Sequence, residues 1–252
     1  MEFTGERIIP KEDFCGPNTN IYKEHVARYE FASKYIKSKK ILDIACGSGY
    51  GSEILSKNGA YHVIGCDISE EAIEYAKKYY QHNNIEFISG NITKINFKDE
   101  EFDCIISFET LEHVKDQEGT ISELKRVLKK DGILIISTPN SESRTSDEED
   151  VNKFHEKELS VPEFNKLLKT YFPRFDLFSQ RLITEISGSK KFVRNLVLKA
   201  IKLDTKKTYT KIFPQKFYSS AYNMIDDTDG IYQPIPYQSS HKPRILIGVC
   251  YK

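Results

Sequence analysis

An apolar run that ends directly at a glycine cluster is the feature that most restricts how this chain can fold. Residues 40–45 (KILDIA) have the composition of a buried strand, and residues 46–51 (CGSGYG) follow at once. Glycines let the backbone turn sharply and let a ligand approach it without a Cβ in the way. In open α/β folds, ligands bind at such turns, at the carboxyl ends of the strands. We therefore predict a strand and a ligand-binding turn here.

Short β-branched runs alternate with amphipathic stretches in the rest of the chain. Apolar strands separated by helices indicate a parallel sheet with helices on both faces, an α/β fold of Rossmann-like type. We predict seven strands, which cover residues 40–45, 61–68, 85–92, 102–109, 132–140, 175–183 and 244–250. Helices are predicted over 21–36, 70–82 and 121–130, and the capping-box spacing of Ser160 and Glu163 predicts the start of another.

Composition favours a cytoplasmic protein. The 37 basic and 37 acidic residues cancel, so net charge predicts neither nucleic acid nor membrane as a partner. The polar N-terminus lacks the apolar stretch of a signal peptide, and no apolar run approaches the roughly 20 residues that span a bilayer. The five cysteines form no CxxC pair, which fits a reducing compartment.

Two segments interrupt the alternation. Residues 141–153 are polar and are predicted to form a loop, and residues 185–243 are too long for an ordinary connection. We therefore divide the chain into a main domain (1–184 plus 244–252) and a basic, Tyr-rich helical insertion (185–243). Within the insertion, 186–216 carries nine basic residues and one acid. It is either a solvated amphipathic helix or a docking surface for a phosphorylated acceptor, an acidic partner or an anionic membrane.

The tyrosines at the end of the insertion also leave alternatives open. They could stack on a sugar, pack in the core or form the interface of a homodimer. They are Tyr209, Tyr218, Tyr222, Tyr232 and Tyr237.

Two acids near the glycine turn indicate which nucleotide binds there. Asp67 ends the next strand, where a carboxylate can accept both hydroxyls of a ribose, as in NAD sites and S-adenosylmethionine (SAM) sites. However, residues 45–51 read A-x-G-x-G-x-G rather than the dinucleotide pattern G-x-G-x-x-G. Asp43, just before the turn, would repel a pyrophosphate but can orient a cationic amino group. SAM carries such a group and no phosphate, so SAM is favoured over NAD.

Residues 40–140 resemble a class I SAM-dependent methyltransferase, with ILDIACGSGYG, VIGCDIS, ISGNIT and FDCIISFETLEHV in the family's order. With FTGERIIP and EHVARYEFA at its start, the chain is similar to methyltransferases of bacterial surface-polysaccharide and sugar modification. The resemblance implies a seven-stranded sheet whose last strand is antiparallel, and SAM as the cofactor.

The same resemblance implies roles for individual residues. Asp43, Ala45, Gly47 and Gly49 line the methionine end of SAM, where Arg28 on the N-terminal helix meets its carboxylate. Asp67 holds the ribose and Ile68 packs on the adenine. The remaining predicted cofactor-binding residues are Asn91 and Ile92, at the adenine edge, and Phe108.

The sequence after the fourth strand predicts the acceptor side. In a helical turn, Glu109, Glu112 and His113 would share one face. A hydroxyl is a poor nucleophile until a base or a metal takes up the charge of its proton, and His113 is the predicted base, with Glu112 as a second catalytic residue. The alternatives are that Glu112 pairs with a lysine and that Glu109 is a solvated strand end.

The ExxEH spacing also resembles the metal-binding motif of plant small-RNA 2′-O-methyltransferases and of ubiquinone-pathway O-methyltransferases. The plant enzymes add a second histidine after the fifth strand, where this chain has His155. The resemblance implies a Mg²⁺ or Mn²⁺ site formed by Glu109, Glu112, His113 and His155, and an acceptor with two adjacent hydroxyls.

These inferences lead to one predicted function and several rivals. We predict SAM-dependent O-methylation of a sugar or capsule-type glycan precursor. An amino-sugar N-methyltransferase, which needs no metal, and a non-catalytic SAM-binding regulatory protein are the alternatives. RNA remains open as an acceptor, although no separate RNA-binding module is visible, and DNA is not expected.

Overall fold

The computed structural model describes residues 8–10, 20–143, 154–182 and 232–252. In chain order the elements are α1 (Asn20–Ala32), β1 (Lys40–Ile44), α2 (Tyr50–Lys57), β2 (His62–Asp67), α3 (Glu70–Tyr79), β3 (Ile85–Ser89), β4 (Phe102–Phe108), α4 (Gln117–Val127), β5 (Leu128–Pro139), α5 (Val161–Tyr171), β6 (Arg174–Leu182), β7 (Ile235–Pro236) and β8 (Pro243–Tyr251). Single turns of 3-10 helix cover Ser33–Tyr35, Leu111–His113 and Ser141–Ser143.

The strands form an eight-stranded sheet in the order β3-β2-β1-β4-β5-β8-β6-β7. Strands β1 to β5 run parallel, and β8 is antiparallel to both of its neighbours, β5 and β6. The chain order reverses between β1 and β4, which makes their carboxyl ends the topological switch point of the sheet. The glycine turn leaves β1 at this point, and the Glu109–His113 segment follows β4 beside it.

All seven predicted strands are present, and the antiparallel last strand is confirmed. The eighth strand, β7, has only two residues and pairs with the edge strand β6, so no alternating pattern could reveal it. The helix predicted over 121–130 instead covers Gln117–Val127. It begins earlier because Asp116 caps it, accepting a 2.8 Å hydrogen bond from the backbone N–H of Gly119.

The sheet separates two apolar layers. Alternate residues of β1 point to opposite faces, so Ile41 packs with α1, α2 and α3 while Leu42 packs with α4 and α5. Helix α5 begins with the predicted capping box, because the side chains of Ser160 and Glu163 bond reciprocally to each other's backbone. This packing fixes the strand ends that carry the candidate site.

Several predicted features lie outside the described residues. They include 144–153 of the polar loop and 185–231 of the insertion, with its basic stretch and Tyr209, Tyr218 and Tyr222. Within the described ranges, no helix is both long and apolar enough to cross a membrane.

Candidate functional site

The turn after β1 adopts left-handed backbone angles that favour glycine. Gly47 has φ 55° and Gly49 φ 89°, and Ala45, the small residue at the turn's first position, has φ 60°. A Cβ on Gly49 would lie 2.6 Å from the Cβ of Ala76, so glycine there allows α3 to pack against the turn. A Cβ on Gly47 would meet nothing within 4 Å. The turn therefore has open space beside Gly47, where a ligand can approach the backbone.

The carboxylate of Asp67 lies against this turn. It is buried at the end of β2 and accepts hydrogen bonds of 2.9 Å from the backbone N–H groups of Gly47 and Ser69. An ionised carboxylate offers about four acceptor positions, so these bonds are compatible with ribose hydroxyls binding to the same group. The structure thus brings Asp67 and the glycine turn together, as the sequence predicts.

Asp43 is buried at the start of the turn without a cationic partner among the described residues. It accepts hydrogen bonds from the hydroxyls of Tyr29 (3.1 Å) and Ser52 (2.6 Å). Burial raises the pKa of Asp43 to about 7, although both hydrogen bonds oppose the shift. A cationic group placed beside this carboxyl would favour its ionised form.

The residues predicted to contact adenine differ in exposure. Ile68, next to Asp67, is 68% exposed, so its side chain is accessible for stacking. Ile92 instead packs in the apolar layer that also contains Leu42, on the side of the sheet covered by α4 and α5. The side-chain oxygen of Asn91 accepts 2.9 Å hydrogen bonds from the backbone N–H and the hydroxyl of Thr93. Asn91 therefore shapes the loop after β3 through Thr93.

Arg28 lies on α1, is fully buried, and contacts residues at the end of β4. Its guanidinium lies 5.9 Å from the ring centre of Phe108, and Nη1 is 3.1 Å from Glu109 Oε1 and 3.5 Å from Glu24 Oε1. Despite these ion pairs, no side-chain nitrogen of Arg28 has a hydrogen-bond partner within the described part of the chain. Buried donors without partners are costly, and a planar carboxylate is the group that best matches a guanidinium.

Glu109 differs from the predicted helical turn. Its backbone is left-handed (φ 49°), and the 3-10 turn begins only at Leu111. The Ser137 hydroxyl donates a 2.6 Å hydrogen bond to Glu109 Oε1, the oxygen that pairs with Arg28. Burial raises the pKa of Glu109, and the nearby Arg28 opposes the shift. Glu109 is therefore oriented by Ser137 and Arg28.

The other three predicted metal ligands meet. Glu112, His113 and His155 each offer a ligand atom, and these atoms lie within 4.8 Å of one another. Glu112 is 1% exposed and accepts a 3.1 Å hydrogen bond from Thr138, and burial together with the nearby Glu109 raises its pKa well above the usual range. The rings of His113 and His155 lie 4.8 Å apart, edge to face. Glu109 is not part of this group.

Each histidine of this trio has one ring nitrogen already bonded. Nδ1 of His113 lies 2.9 Å from the backbone oxygen of Phe154, and Nδ1 of His155 lies 2.5 Å from Glu158 Oε1. These acceptors favour an Nδ1–H tautomer in both rings, which leaves each Nε2 with its lone pair. Two imidazole nitrogens and a carboxylate oxygen form a donor set that suits a divalent cation.

Several partners in this site were not predicted from the sequence. Tyr29 and Ser52 bond Asp43, Ser137 bonds Glu109, and Glu158 bonds His155. Ser52 offered a weak signal, since it is a small polar residue in the buried first turn of the helix after the glycines. The contacts of Tyr29 and Ser137 depend on tertiary packing, whereas Glu158 is only three residues from His155.

Comparison with known proteins agrees with this geometry. Residues 42–136 match the methyltransferase domain family, a range that contains the glycine turn, Asp67 and the Glu109–His113 segment. A probable S-adenosylmethionine-dependent methyltransferase of Mycolicibacterium smegmatis is 29% identical over 174 residues, covering 68% of this chain and 64% of the relative. The ubiquinone biosynthesis O-methyltransferase of Haemophilus ducreyi is 39% identical over 111 residues, covering 40% of this chain and 46% of the relative.

The fold is likewise shared with solved structures. A SAM-dependent methyltransferase from Archaeoglobus fulgidus superposes with a TM-score of 0.61 at 17% identity, covering 96% of this chain and 97% of the other. The chain spans less than two thirds of the length of the mycobacterial relative. Residues 42–136 are thus similar to the methyltransferase domain family, and the described fold is the one found in solved SAM-dependent methyltransferases.

Proposed function

We propose that this protein, with its methyltransferase domain, transfers the methyl group of SAM to a hydroxyl oxygen of a sugar or surface-polysaccharide precursor, with help from a divalent cation. The observation that carries this proposal is the meeting of Glu112, His113 and His155 at the switch point that also holds the glycine turn. Donors for a cation and a pocket for SAM therefore share one end of the sheet.

The proposed SAM pocket uses charge at both ends of the methionine group. The buried carboxyl of Asp43 faces the cationic amino group across the turn formed by Ala45, Gly47 and Gly49. The methionine carboxylate supplies the hydrogen-bond acceptor that the guanidinium of Arg28 lacks. Phe108 lies between these two ends, since its ring contacts both Arg28 and Tyr29.

The nucleoside end uses the loops after β2 and β3. Asp67 accepts the ribose hydroxyls, and the exposed side chain of Ile68 covers one face of the adenine. We assign Asn91 and Ile92 to the adenine edge through the loop they form rather than through stacking, because Ile92 packs inward.

In the transfer, the acceptor oxygen forms a bond to the methyl carbon while the carbon–sulfur bond breaks. The electron pair of the broken carbon–sulfur bond remains on sulfur, which becomes the neutral thioether of S-adenosylhomocysteine. The acceptor proton must also leave. In a cation-free site His113 Nε2 could accept it, because its Nδ1 is bonded to Phe154, whereas a cation held by that nitrogen would occupy the lone pair and the proton would leave to solvent. Held by Glu112, His113 and His155, Mg²⁺ or Mn²⁺ would supply Lewis acidity that lowers the pKa of a bound hydroxyl.

The choice of acceptor rests on several observations of different kinds. A cation beside SAM favours an acceptor with two adjacent hydroxyls, as in a sugar ring or a catechol, and the Haemophilus ducreyi relative is named as an O-methyltransferase. Sugar is preferred because FTGERIIP and EHVARYEFA resemble methyltransferases of polysaccharide modification. An amino-sugar N-methyltransferase needs no cation, because a neutral amine attacks without losing its proton first.

The test is S-adenosylhomocysteine release from a panel of sugar nucleotides, amino sugars and catechols, with and without EDTA. The proposal predicts O-methylated product, loss of turnover in EDTA, and recovery with Mn²⁺ or Mg²⁺. Turnover that EDTA leaves unchanged would contradict the role of the cation, and an N-methylated product would support the amino-sugar alternative. SAM binding without turnover of any acceptor would favour a regulatory protein.

A further inference from the structure

His155 is held by a carboxylate outside the predicted ligand set. Its Nδ1 lies 2.5 Å from Oε1 of Glu158, and the two side chains are only 13% and 10% exposed, so solvent screens the pair little. We propose that Glu158 is a positioning residue of the metal site, which fixes the tautomer and orientation of His155. This inference rests on the metal-assisted function proposed above.

The backbone around His155 fixes its place but not the rotation of its ring. The N–H groups of Glu156 and Lys157 donate to the carbonyl oxygen of Glu112, at 2.8 and 3.2 Å. The side chain of Gln117 donates to the Lys157 carbonyl, and Ser141 N–H donates to the Leu159 carbonyl. Residues 156–159 are therefore tied to the turn that carries Glu112 and to the end of β5.

Glu158 constrains the ring itself. A carboxylate that accepts from Nδ1–H leaves the lone pair on Nε2, the nitrogen that a cation or a substrate proton then meets. It also makes the imidazole a stronger donor, as carboxylate partners of metal-binding histidines do. Nδ1 of His113 lies 2.9 Å from a carbonyl oxygen, which carries no full charge. His155 is thus the better electron donor of the two rings.

A simple ion pair is the alternative explanation. There, His155 would be protonated on both nitrogens and Glu158 would merely neutralise it, so neither residue would affect a cation. The two explanations differ in the protonation state of His155 in the metal-free protein and in the affinity for Mn²⁺.

The first experiment measures Mn²⁺ binding to the full chain by electron paramagnetic resonance, without SAM or acceptor. We expect Glu158→Gln to weaken Mn²⁺ binding about 10- to 100-fold, as loss of such partners does. Glu156→Gln is the matched control, because the side chain of Glu156 is 46% exposed and makes a long, 3.9 Å ion pair with the exposed Lys115. Its affinity should stay within about twofold.

The outcomes separate the two proposals. A wild-type protein that binds no Mn²⁺ contradicts the metal site itself, whereas wild-type binding that Glu158→Gln leaves unchanged contradicts only the role of Glu158. The second measurement needs no variant and so does not depend on folding of Glu158→Gln. Imidazole ¹⁵N chemical shifts of the metal-free wild type at pH 8 should show His155 as the Nδ1–H tautomer. An Nε2–H tautomer or a doubly protonated ring would overturn the inference.

Discussion

Nη1 of Arg28 lies 3.1 Å from Oε1 of Glu109, yet the guanidinium has no hydrogen-bond partner among the described residues. The pair compensates charge in a buried place but leaves the donors of Arg28 unused. Glu109 is held on its other side by Ser137. Arg28 and Glu109 therefore connect the proposed methionine end of the SAM pocket with the acceptor side, and each can be tested separately.

Arg28→Gln should weaken SAM binding about 10- to 100-fold, because hydrogen bonds between charged groups contribute roughly 1.5–3 kcal/mol. Calorimetry should show no comparable loss for 5′-methylthioadenosine, which lacks the amino-acid part of SAM. Lys34→Gln, a change of a cation just after α1, serves as the charge control. An equal loss for both nucleosides would mean that Arg28 acts through the fold and not through the carboxylate.

The two glutamates of the ExxEH segment should have separable effects. Glu112→Gln should reduce Mn²⁺ affinity by about 100-fold or more, because it removes a negatively charged donor from the trio. Glu109→Gln should leave Mn²⁺ affinity within a few-fold, because Glu109 forms an ion pair with Arg28 and accepts a hydrogen bond from Ser137. Mn²⁺ titrations of both variants, with bound SAM as the check on folding, test this. Equal losses in the two variants would show that Glu109 joins the cation after all.

SAM affinity should rise with pH and then level near pH 7. Burial raises the pKa of Asp43 from 3.8 to about 7, so below pH 7 the carboxyl must lose a proton to pair with the amino group of SAM. Binding should strengthen by up to tenfold per pH unit below 7. The stability of the SAM-free protein should change with pH in the opposite direction. Because the pKa of Asp43 is raised in the folded state, the stability contributed by the protonated carboxyl is lost as pH rises from about 4 to about 7.

Calorimetry in two buffers of different ionisation enthalpy measures the proton release directly. Asp43→Asn should abolish it and flatten the pH profile of SAM affinity. A profile that keeps its slope in the Asp43→Asn variant would assign the titration to another group.

Replacing each of the two turn glycines with alanine should distinguish the glycine that packing requires from the glycine that leaves space for a ligand. Gly49→Ala combines left-handed strain with a 2.6 Å contact to Ala76, so we expect a loss of about 2–4 kcal/mol in the free energy of unfolding. Gly47→Ala adds strain alone, about 1–2 kcal/mol, but places a methyl group in the open space. Urea unfolding should rank Gly49→Ala as less stable, whereas calorimetry should show Gly47→Ala losing SAM affinity. The reverse ranking would contradict the assignment of that space to SAM.

Features that depend on local patterns could be predicted from the sequence. The apolar run before Cys46 gave β1, the capping box at Ser160 gave the start of α5, and the acid ending β2 gave Asp67 beside the turn. Parallel strands bring their carboxyl ends to one edge, so the convergence of the glycine turn and the ExxEH segment followed from the order of elements.

Features that depend on tertiary contacts could not be predicted. Helical spacing placed Glu109 with Glu112 and His113, but its left-handed backbone points it to Arg28, and no sequence rule marks that conformation in a glutamate. His155 and Glu158 are only three residues apart, but the backbone bonds from residues 156–157 to Glu112, which bring this segment beside the ExxEH turn, join parts of the chain that lie far apart in the sequence.

Calorimetric titration of the full chain with SAM and with S-adenosylhomocysteine tests the central claim most directly. We predict saturable binding of both at one site above pH 7, and its loss in Asp67→Ala, whose carboxylate supports the Gly47 turn. A folded protein that gives no heat with either nucleoside would contradict the account, since the roles proposed for Arg28, Asp43 and the turn glycines all depend on that pocket.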